Sequence, residues 1–482
     1  MPIKFGTDGW RAVISDEFTF ANVRLVAKAI AGYLLEIKGR STAPVVVGFD
    51  TRFLSDRYAL ELARVLADEG LPVYLSKADC PTPALAYAIW HLCALGGVMI
   101  TASHNPPRYN GVKFKGPHGG PGLPNETRRI EEVLEHNLAN GLTPTTEGRP
   151  LTDLDRDYPG IMRFDPMPAY LAHVRTLVDF KAISGSGLRV VVDPMYGAGR
   201  GYIAAFLREC GCEVTQIHGE MNPGFGGIHP EPIERNLKDL MAMMRSGQFD
   251  LGLATDGDAD RIGAVDKKGN FVDPHRIFSL ILRHLVEERQ ERGAVVKTVS
   301  TTQLLNRLAQ HYSLPLYETP VGFNHICDWM LKEDVLIGGE ESGGITIKGH
   351  VPDGDGILMG LLLTELLAYQ GKPLHEIIAE LMKDFGEFYY GRNDVRTRAF
   401  DKKELTQQLL KEAPERILHH RVACINNSDG VKYLLDDESW LLIRPSGTEP
   451  VLRIYAEARS RSEVQQLLEV GARLAHVSRD EY

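Results

Sequence analysis

Short apolar runs alternate with amphipathic segments along most of the chain. Runs at residues 45–49, 73–75 and 97–101 predict strands, because they are short and are bounded by turn-forming residues. Between the first two lies an amphipathic stretch at 58–69, which is closed by Gly70 and predicts a helix. Since helical segments separate successive strands, we expect an α/β fold with mainly parallel sheets.

The same alternation continues through two further units and then changes. Strands are predicted at 188–192, 213–217, 250–254, 296–300 and 335–338, and helices at 203–210 and 356–369. A segment rich in proline and threonine at 143–150 predicts a connection between the first two units. After the YYGRNDVRTR segment, strands at 440–444 and 451–456 flank a tight loop, which indicates a smaller α+β unit.

Three of these strands run straight into small polar loops, once in each of the first three units. The segments are GVMITASHN, LGLATDGDAD and VLIGGEESGG. In α/β units, ligands bind beyond the carboxyl ends of the strands. Together with the loop that begins at Arg444 in the last unit, the pattern predicts one cleft shared by four domains.

The first loop contains a candidate nucleophile. Ser103 follows a strand, between the small Ala102 and the imidazole of His104. An ordinary Ser/Asn turn is the alternative interpretation. The loop has no G-x-S-x-G motif, so a hydrolase triad is not favoured.

The second loop offers three carboxylates at alternate positions, Asp256, Asp258 and Asp260. Ligands that are all oxygen favour a hard cation, Mg²⁺ or Ca²⁺. An EF-hand loop needs glycine at its sixth position and glutamate at its twelfth, whereas Arg261 and Lys267 stand there. The pattern therefore favours a Mg²⁺ site, with a solvated acidic turn as the alternative.

The third and fourth loops suit a sugar and a phosphate. Glu340 and Ser342 lie between paired glycines and offer acceptors and a donor for sugar hydroxyls. In the fourth loop, Arg444 supplies a planar fork for phosphate. Further donors follow it at Ser446, Gly447 and Thr448. Solvated polar turns are the alternative for both loops.

Composition limits the classes of function. Apolar residues make up 43% of the 482 residues, and 54 Lys+Arg against 64 Asp+Glu give a net charge of −10. Nucleic-acid and anionic-membrane binders need basic surfaces, so we expect neither partner. The six cysteines are scattered and the N-terminus has no apolar signal core, which predicts a cytoplasmic protein with free thiols.

Nucleotide-binding signatures are absent or weak. The chain has no G-x-x-x-x-G-K-[ST] motif, and Tyr202 replaces the third glycine of a possible G-x-G-x-x-G that begins at Gly197. A kinase needs a nucleotide cradle, and a simple phosphatase does not need a separate phosphate clamp. Transfer of a phosphoryl group within one sugar phosphate, by way of the enzyme, uses all four loops.

The motifs resemble those of the α-D-phosphohexomutase superfamily, and most closely its phosphoglucomutase/phosphomannomutase members. FGTDGWR, TASHNP, DGDADR, GGEESGG and RPSGTEP occur in the family's order over nearly the whole chain. The resemblance implies four domains around a central cleft, the first three with an α/β core of mixed, mainly parallel sheets and the fourth a smaller α+β domain. We expect these domains at 1–162, 163–268, 269–388 and 389–482.

The resemblance also implies roles for individual residues. Ser103 is expected to be the phosphoserine, and Ser103, Asp256, Asp258 and Asp260 the Mg²⁺ ligands. The remaining catalytic residues are expected to be Lys113, in the NGVK segment, with His104, Arg11 and Arg261 around the phosphoserine. The expected substrate-binding residues are Thr319, Gly322, Glu340, Ser342, Arg444, Ser446, Gly447 and Thr448.

The sequence departs from the family's residue type at one position, and the role of a histidine at another position has two interpretations. Phe323 stands where many relatives have a histidine, and His325 is not an assured substitute. His350 lies in a polar loop, where it is expected either to contact substrate or to be solvated.

The implied reaction interconverts a hexose 1-phosphate and a hexose 6-phosphate through phospho-Ser103 and a hexose 1,6-bisphosphate. Glucose phosphates are the expected substrates, with mannose phosphates also possible, and glucose 1,6-bisphosphate the expected activator. The alternatives are a phosphoglucosamine mutase, a metal-dependent sugar phosphatase and a silent sugar-phosphate-binding protein. We expect a monomer or a homodimer.

Overall fold

The computed structural model describes residues 3–6, 9–142, 158–396, 401–445 and 451–475. The expected connection at 143–150 lies outside these residues. Ser446, Gly447 and Thr448 of the expected phosphate clamp also lie outside them.

The first unit is a mixed six-stranded sheet covered by helices. Its strands are β1 (Trp10–Val13), β2 (Val45–Phe49), β3 (Val73–Ser76), β4 (Gly96–Ile100), β5 (Tyr109–Lys115) and β6 (Ile161–Phe164). Its helices are α1 (Phe20–Lys38), α2 (Ser55–Asp68), α3 (Thr82–His91) and α4 (Pro124–Ala139). The sheet order is β1-β5-β4-β2-β3-β6, with β1 and β5 antiparallel to their neighbours. β2 is buried along its whole length because helices cover both faces.

The second unit repeats this plan with five strands. Its elements are α5 (Met167–Leu177), α6 (Phe180–Ser184), β7 (Arg189–Asp193), α7 (Tyr202–Glu209), β8 (Glu213–Gln216), α8 (Lys238–Arg245), β9 (Leu251–Thr255), β10 (Ile262–Asp266) and β11 (Phe271–Val272). The sheet order is β11-β10-β9-β7-β8, in which β7, β8 and β9 are parallel. The loop between β9 and β10 contains the three aspartates.

The third unit has four strands in the order β13-β12-β14-β15. Its elements are α9 (Pro274–Glu287), β12 (Ala294–Thr298), α10 (Leu304–His311), β13 (Leu316–Thr319), α11 (Phe323–Met330), β14 (Val335–Gly339), β15 (Ile345–Ile347), α12 (Gly356–Gln370) and α13 (Leu374–Phe385). β12 was expected to run to residue 300 but ends at Thr298. Val299 is apolar for another reason, because it packs with Trp440 of the last unit.

The last unit is a six-stranded antiparallel sheet with two helices. Its elements are β16 (Tyr389–Arg396), α14 (Lys402–Lys411), β17 (Arg416–Ile417), β18 (His420–Asn426), β19 (Val431–Leu435), β20 (Trp440–Pro445), β21 (Val451–Ala458) and α15 (Arg461–Leu474). The sheet order is β16-β21-β20-β19-β18-β17. The buried carboxylate of Glu457 joins this unit to the third, since the Gln303 amide and the Trp440 indole each donate to it at 2.8 Å.

These sheets confirm the predicted fold class of three mixed, mainly parallel α/β units and a smaller α+β unit. The helix expected at 58–69 begins earlier, at Ser55, because no capping side chain marks its start and Ser55 donates instead to Asp50. Among the described residues, the helices include none that is both long enough and apolar enough to cross a bilayer.

Helix α12 generates a stability prediction. Leu362 in this helix has no solvent exposure, so Leu362→Ala leaves a cavity and is expected to lower the free energy of unfolding by about 2–5 kcal/mol. Leu35 on α1 is 40% exposed, and Leu35→Ala is the matched control with little expected change. Urea unfolding followed by circular dichroism measures both midpoints, and equal midpoints would contradict this account of the core.

Candidate active site

A cleft of 3080 Å³ is lined by residues from all four units. The first unit contributes Arg11 and His104, and the second contributes Arg261. The third contributes Glu340, and the fourth contributes Arg444. The polar loops that follow the strands therefore meet around one space, as their positions at the strand ends predict.

Ser103 is buried directly before His104 and Asn105, which line this cleft. Its backbone has a left-handed φ of 49°, a conformation that non-glycine residues rarely adopt outside tight or functional turns. The turn is held by its N–H, which donates to Thr101 Oγ1 at 2.9 Å. Its hydroxyl donates to Asp258 Oδ2 at 3.2 Å and lies 3.4 Å from Arg11 Nη2. The serine oxygen thus lies between a carboxylate and a guanidinium.

The three aspartates converge as expected for a cation site. One carboxylate oxygen from each of Asp256, Asp258 and Asp260 lies within 4.8 Å of the other two. Within the described part of the chain, each residue also has one buried oxygen without a hydrogen-bond partner: Asp256 Oδ2, Asp258 Oδ1 and Asp260 Oδ1. Unpartnered buried carboxylate oxygens are costly unless a cation binds them, so the site fits Mg²⁺.

Basic residues surround the three carboxylates. Lys113 Nζ donates to Asp258 Oδ2 at 3.0 Å and to Asp260 Oδ2 at 2.9 Å, and Arg261 Nε lies 3.9 Å from Asp260. Burial and the neighbouring aspartates hold the pKa of Asp256 well above its usual range. Burial acts in the same direction on Asp258, but Lys113, Thr82 and Arg11 together outweigh it and lower the pKa of that carboxyl.

Arg52 holds the backbone of the loop at residues 103–109, a role that its sequence motifs did not indicate. Its side chain is buried and forms an ion pair with Asp50 at 3.1 Å. Its guanidinium donates, at 2.5–3.1 Å, to the backbone carbonyls of Ser103, Asn105, Pro106 and Tyr109. A charged Asp-Thr-Arg segment directly after the buried strand β2 is the sequence signal that could have identified it.

Two glycines allow the serine loop and the aspartate loop to touch. A Cβ atom at Gly257 would lie 2.5 Å from the carbonyl oxygen of Ser103. A Cβ at Gly197 would lie 2.7 Å from the carbonyl oxygen of Asp256. Gly197 begins the weak glycine pattern of the second unit, and its small size lets the backbone approach the aspartate loop closely.

His104 is a neutral imidazole in this environment. Burial, followed by Arg261 and Arg11, holds its pKa well below its usual range. Its Nδ1 atom is buried and has no hydrogen-bond partner among the described residues.

The expected sugar-binding residues are only partly brought together. Glu340 Oε1 accepts from the Gly322 amide at 3.0 Å, and Ser342 Oγ lies 3.5 Å from Glu340 Oε2. These three residues line the cleft. Thr319 is buried and, within the described part of the chain, does not line the cleft; its hydroxyl donates to the Pro320 carbonyl at 2.9 Å.

Arg444 extends towards the cleft from the end of β20. Its Nε donates to Asp429 Oδ2 at 2.6 Å, and the same oxygen accepts from the Val321 amide at 3.0 Å. Burial opposes the charge on Arg444, but Asp429, Tyr455 and Glu341 together outweigh it and raise the pKa of the guanidinium. Through the Val321 amide, this ion pair links the end of β20 in the fourth unit to the third unit.

Both interpretations of His350 are wrong. The side chain has no solvent exposure, and its Nε2 lies 3.0 Å from Asp355 Oδ2. Its Nδ1 pairs with His173 at 3.1 Å, so the polar loop turns the ring inwards, away from solvent and cleft. His325, by contrast, does line the cleft.

Family models for phosphoglucomutases and phosphomannomutases match the chain in four parts. The model for α/β/α domain I matches residues 2–140, and that for domain II matches 168–269. The model for domain III matches 273–385, and that for the C-terminal domain matches 398–473. The matches occur in the order of the four structural units.

Individual relatives cover nearly the whole chain. It is 33% identical over 470 residues to the phosphoglucomutase/phosphomannomutase of Thermococcus kodakarensis, covering 98% of each protein. It is 32% identical over 472 residues to the phosphoglucosamine mutase of Carboxydothermus hydrogenoformans, covering 96% of this chain and 97% of that protein. A crystal structure from Thermus thermophilus, assigned as a phosphomannomutase, superposes with a TM-score of 0.84 at 38% identity and covers 99% of both chains.

The contact between the two loops generates a prediction about the cation site. Gly257→Ala forces a Cβ against the Ser103 carbonyl, so it is expected to separate the loops and weaken Mg²⁺ binding by about 10–100-fold. Gly185→Ala is the control, because a Cβ at Gly185 meets nothing within 4 Å. Isothermal titration with Mg²⁺ measures both dissociation constants. Unchanged affinity in the Gly257 variant would contradict the role assigned to this contact.

Proposed function

We propose a substrate and a phosphoryl carrier for this chain on the premise that it belongs to the phosphoglucomutase/phosphomannomutase family, all four of whose domain models match it. The relatives are phosphohexomutases, which are intramolecular phosphotransferases of the isomerase class. The proposed reaction interconverts glucose 1-phosphate and glucose 6-phosphate through phospho-Ser103. Mannose phosphates are proposed as further substrates.

One observation supports Ser103 as the carrier above all others. Its Oγ lies 3.2 Å from Asp258 Oδ2, within a cluster of three carboxylates that fits a divalent cation. A serine whose oxygen lies beside a cation site, next to loop residues that line the cleft shared by all four units, suits phosphoryl transfer. Arg444, on the fourth unit, lines the same cleft.

In the first half-reaction, the bond between phosphorus and Ser103 Oγ breaks and a bond forms to the free hydroxyl of the hexose phosphate. The products are a hexose 1,6-bisphosphate and a serine hydroxyl. After the bisphosphate turns in the cleft, Ser103 Oγ accepts the other phosphoryl group. The sugar oxygen that loses this group becomes a free hydroxyl, and phospho-Ser103 is restored. The sugar hydroxyl gives up one proton as its bond to phosphorus forms, and Ser103 Oγ gains one as its bond breaks.

Mg²⁺, held by Ser103, Asp256, Asp258 and Asp260, would neutralise charge on the transferring group. Lys113 and Arg261 hold two of these carboxylates in place through the contacts at 2.9–3.9 Å. Arg11, 3.4 Å from Ser103 Oγ, is oriented by its bond to Asn105 Oδ1 at 2.9 Å and adds positive charge at the carrier oxygen.

Two side chains are candidates for moving the hydroxyl proton. Lys113 donates to two carboxylates and neutralises their charge as an ammonium group. It can accept a proton only after it has first given up one of its own. His104 lines the cleft beside Ser103, and its Nδ1 is buried without a partner in the described structure. We therefore assign the proton acceptor to His104 and the positioning of Asp258 and Asp260 to Lys113.

The non-reacting phosphate is assigned to Arg444. The Nε–Asp429 bond at 2.6 Å fixes the plane of the guanidinium, and a fixed planar fork is the geometry that matches phosphate. The expected neighbouring donors, Ser446, Gly447 and Thr448, lie outside the described residues and remain part of the proposal.

A second candidate is a phosphoglucosamine mutase. The relative from Carboxydothermus hydrogenoformans has that activity in its name, at an identity similar to that of the phosphoglucomutase/phosphomannomutase relative. The side chains of Glu340 and Glu341 both line the cleft, and a carboxylate accepts from a sugar hydroxyl or from a 2-ammonium group. Glucose remains the first choice because Glu341 already accepts from Ser300 at 2.6 Å.

The carrier assignment predicts the behaviour of a serine variant. With Mg²⁺ and a trace of glucose 1,6-bisphosphate, wild type is expected to convert glucose 1-phosphate to glucose 6-phosphate, and Ser103→Ala to lose at least ~10³-fold in kcat. Ser184→Ala, on an exposed serine, is the control. Intact mass is expected to show one phosphoryl group on wild type and on the control, and none on Ser103→Ala. Full turnover by Ser103→Ala would refute the carrier.

The same assay with glucose, mannose and glucosamine phosphates, following isomer and free phosphate together, compares the candidate reactions. A higher kcat/KM for glucosamine phosphate would favour the second candidate. Release of free phosphate as fast as isomerisation would favour a phosphatase. Isomerisation of no hexose phosphate would refute the proposed function.

The assignment of Arg444 to the distal phosphate predicts a loss of kcat/KM. Arg444→Met removes charge-assisted hydrogen bonds to the distal phosphate, each contributing about 1.5–3 kcal/mol, and is expected to lower kcat/KM by about 10–100-fold. Arg421→Met, on an exposed arginine of the same sheet, is the control. Phospho-Ser103 is expected to form normally in the Arg444 variant, because the serine lies in another unit. Unchanged kcat/KM would contradict the clamp.

A further inference from the structure

A second group of potential metal ligands lies in the fourth unit, outside the cleft lining. His419 lies in the turn between β17 and β18, and His420 is the first residue of β18. Asp436 and Asp437 follow β19, and Glu463 lies in the first turn of α15. One donor atom from each of His419, His420 and Glu463 lies within 4.8 Å of the other two. Three separate stretches of chain thus bring imidazole and carboxylate groups together.

The ring of His420 is oriented as a metal ligand. Its Nδ1 lies 3.3 Å from Asp436 Oδ1, so the Nδ1–H donates to that carboxylate and the lone pair stays on Nε2. Nε2 is buried and has no hydrogen-bond partner among the described residues. A carboxylate behind the ring and a free nitrogen in front is the arrangement found for metal-binding histidines.

Donors on two sides approach this nitrogen, and those of His419 and Glu463 form one group with it. His420 Nε2 lies 3.8 Å from Glu463 Oε1 and 3.6 Å from Asp437 Oδ2, and His419 Nε2 lies 3.8 Å from the same Glu463 oxygen. These separations are too long for hydrogen bonds. Ligands bonded to zinc at the usual lengths in a tetrahedron lie about 3.4 Å apart, so small movements would close the site.

Two serines orient the carboxylates. Ser460 Oγ donates to Glu463 Oε2 at 3.1 Å, which leaves Oε1 facing the histidines. Ser439 Oγ donates to Asp437 Oδ2 at 2.7 Å, the oxygen nearest His420 Nε2. The Glu463 carboxylate is therefore held by the protein in the position that binding requires.

We propose that His419, His420 and Glu463 bind a divalent transition metal such as Zn²⁺, with water as the fourth ligand. Imidazole nitrogen favours zinc and similar ions, whereas the all-oxygen aspartate site in the cleft favours Mg²⁺. The ion would join the turn between β17 and β18 to the start of α15. Since β17 is the short outer strand of its sheet, the ion would anchor the free edge of the fourth unit.

The test uses Co²⁺ as a spectroscopic probe of the metal-free protein, with excess Mg²⁺ to occupy the cleft site. Wild type is expected to bind one Co²⁺ with the intense visible absorption of tetrahedral coordination, and Zn²⁺ to displace it. His420→Gln and Glu463→Gln are each expected to weaken Co²⁺ binding at least about tenfold. His136→Gln, on an exposed histidine of α4, is the matched control and is expected to bind as wild type.

Mutase activity and circular dichroism establish that each variant is folded, because these residues lie outside the cleft. Zn²⁺ is expected to raise the unfolding temperature of wild type and of His136→Gln, but not of His420→Gln. Co²⁺ spectra that are the same in wild type and both ligand variants would overturn the proposal. Loss of the tetrahedral spectrum in Asp256→Asn alone would also overturn it, by assigning the bound ion to the cleft.

Discussion

Three carboxylates within 4.8 Å of one another, two of them fully buried, repel each other and must be neutralised before the units can pack. Lys113 supplies much of that neutralisation from the first unit, through contacts with Asp258 and Asp260 at 2.9–3.0 Å. The carboxylates belong to the second unit, so the same ion pairs join the two units. The cost of burying the acidic loop alone thus favours docking of the unit that contains Ser103.

The serine is fixed from two directions as a result. Arg52 draws four backbone carbonyls of the loop towards its guanidinium, and Asp258 accepts from the serine hydroxyl on the other side. The close approach is sterically possible only because Gly257 has no side chain to strike the Ser103 carbonyl. The left-handed turn at Ser103 is held by these contacts together, and they keep the serine oxygen beside the three aspartates without help from substrate.

Features encoded next to each other along the chain could be predicted, and features made by distant segments could not. The aspartate loop was identifiable because alternate carboxylates directly follow a buried strand. The role of Arg52 was missed because the carbonyls that it binds lie 51 to 57 positions away, so the local Asp-Thr-Arg segment indicates a charged pair but not the loop that it supports. His350 was misread since a polar loop suggests exposure, whereas Asp355 and His173 satisfy its ring nitrogens in the interior.

The fourth unit is attached to the third mainly by hydrogen bonds around a small apolar contact, whereas ion pairs at the aspartate loop join the first two units. Glu457 accepts from Gln303 and Trp440, and Lys432 donates to the Val299 carbonyl at 2.7 Å, around a small apolar contact between Val299 and Trp440. Polar interfaces of this kind permit relative motion of domains more readily than large apolar ones. In the proposed reaction, the bisphosphate turns before its second transfer and needs a distal clamp that can release it. A polar attachment of the unit that contains Arg444 suits this proposed role, because that unit would bind and then release the distal phosphate.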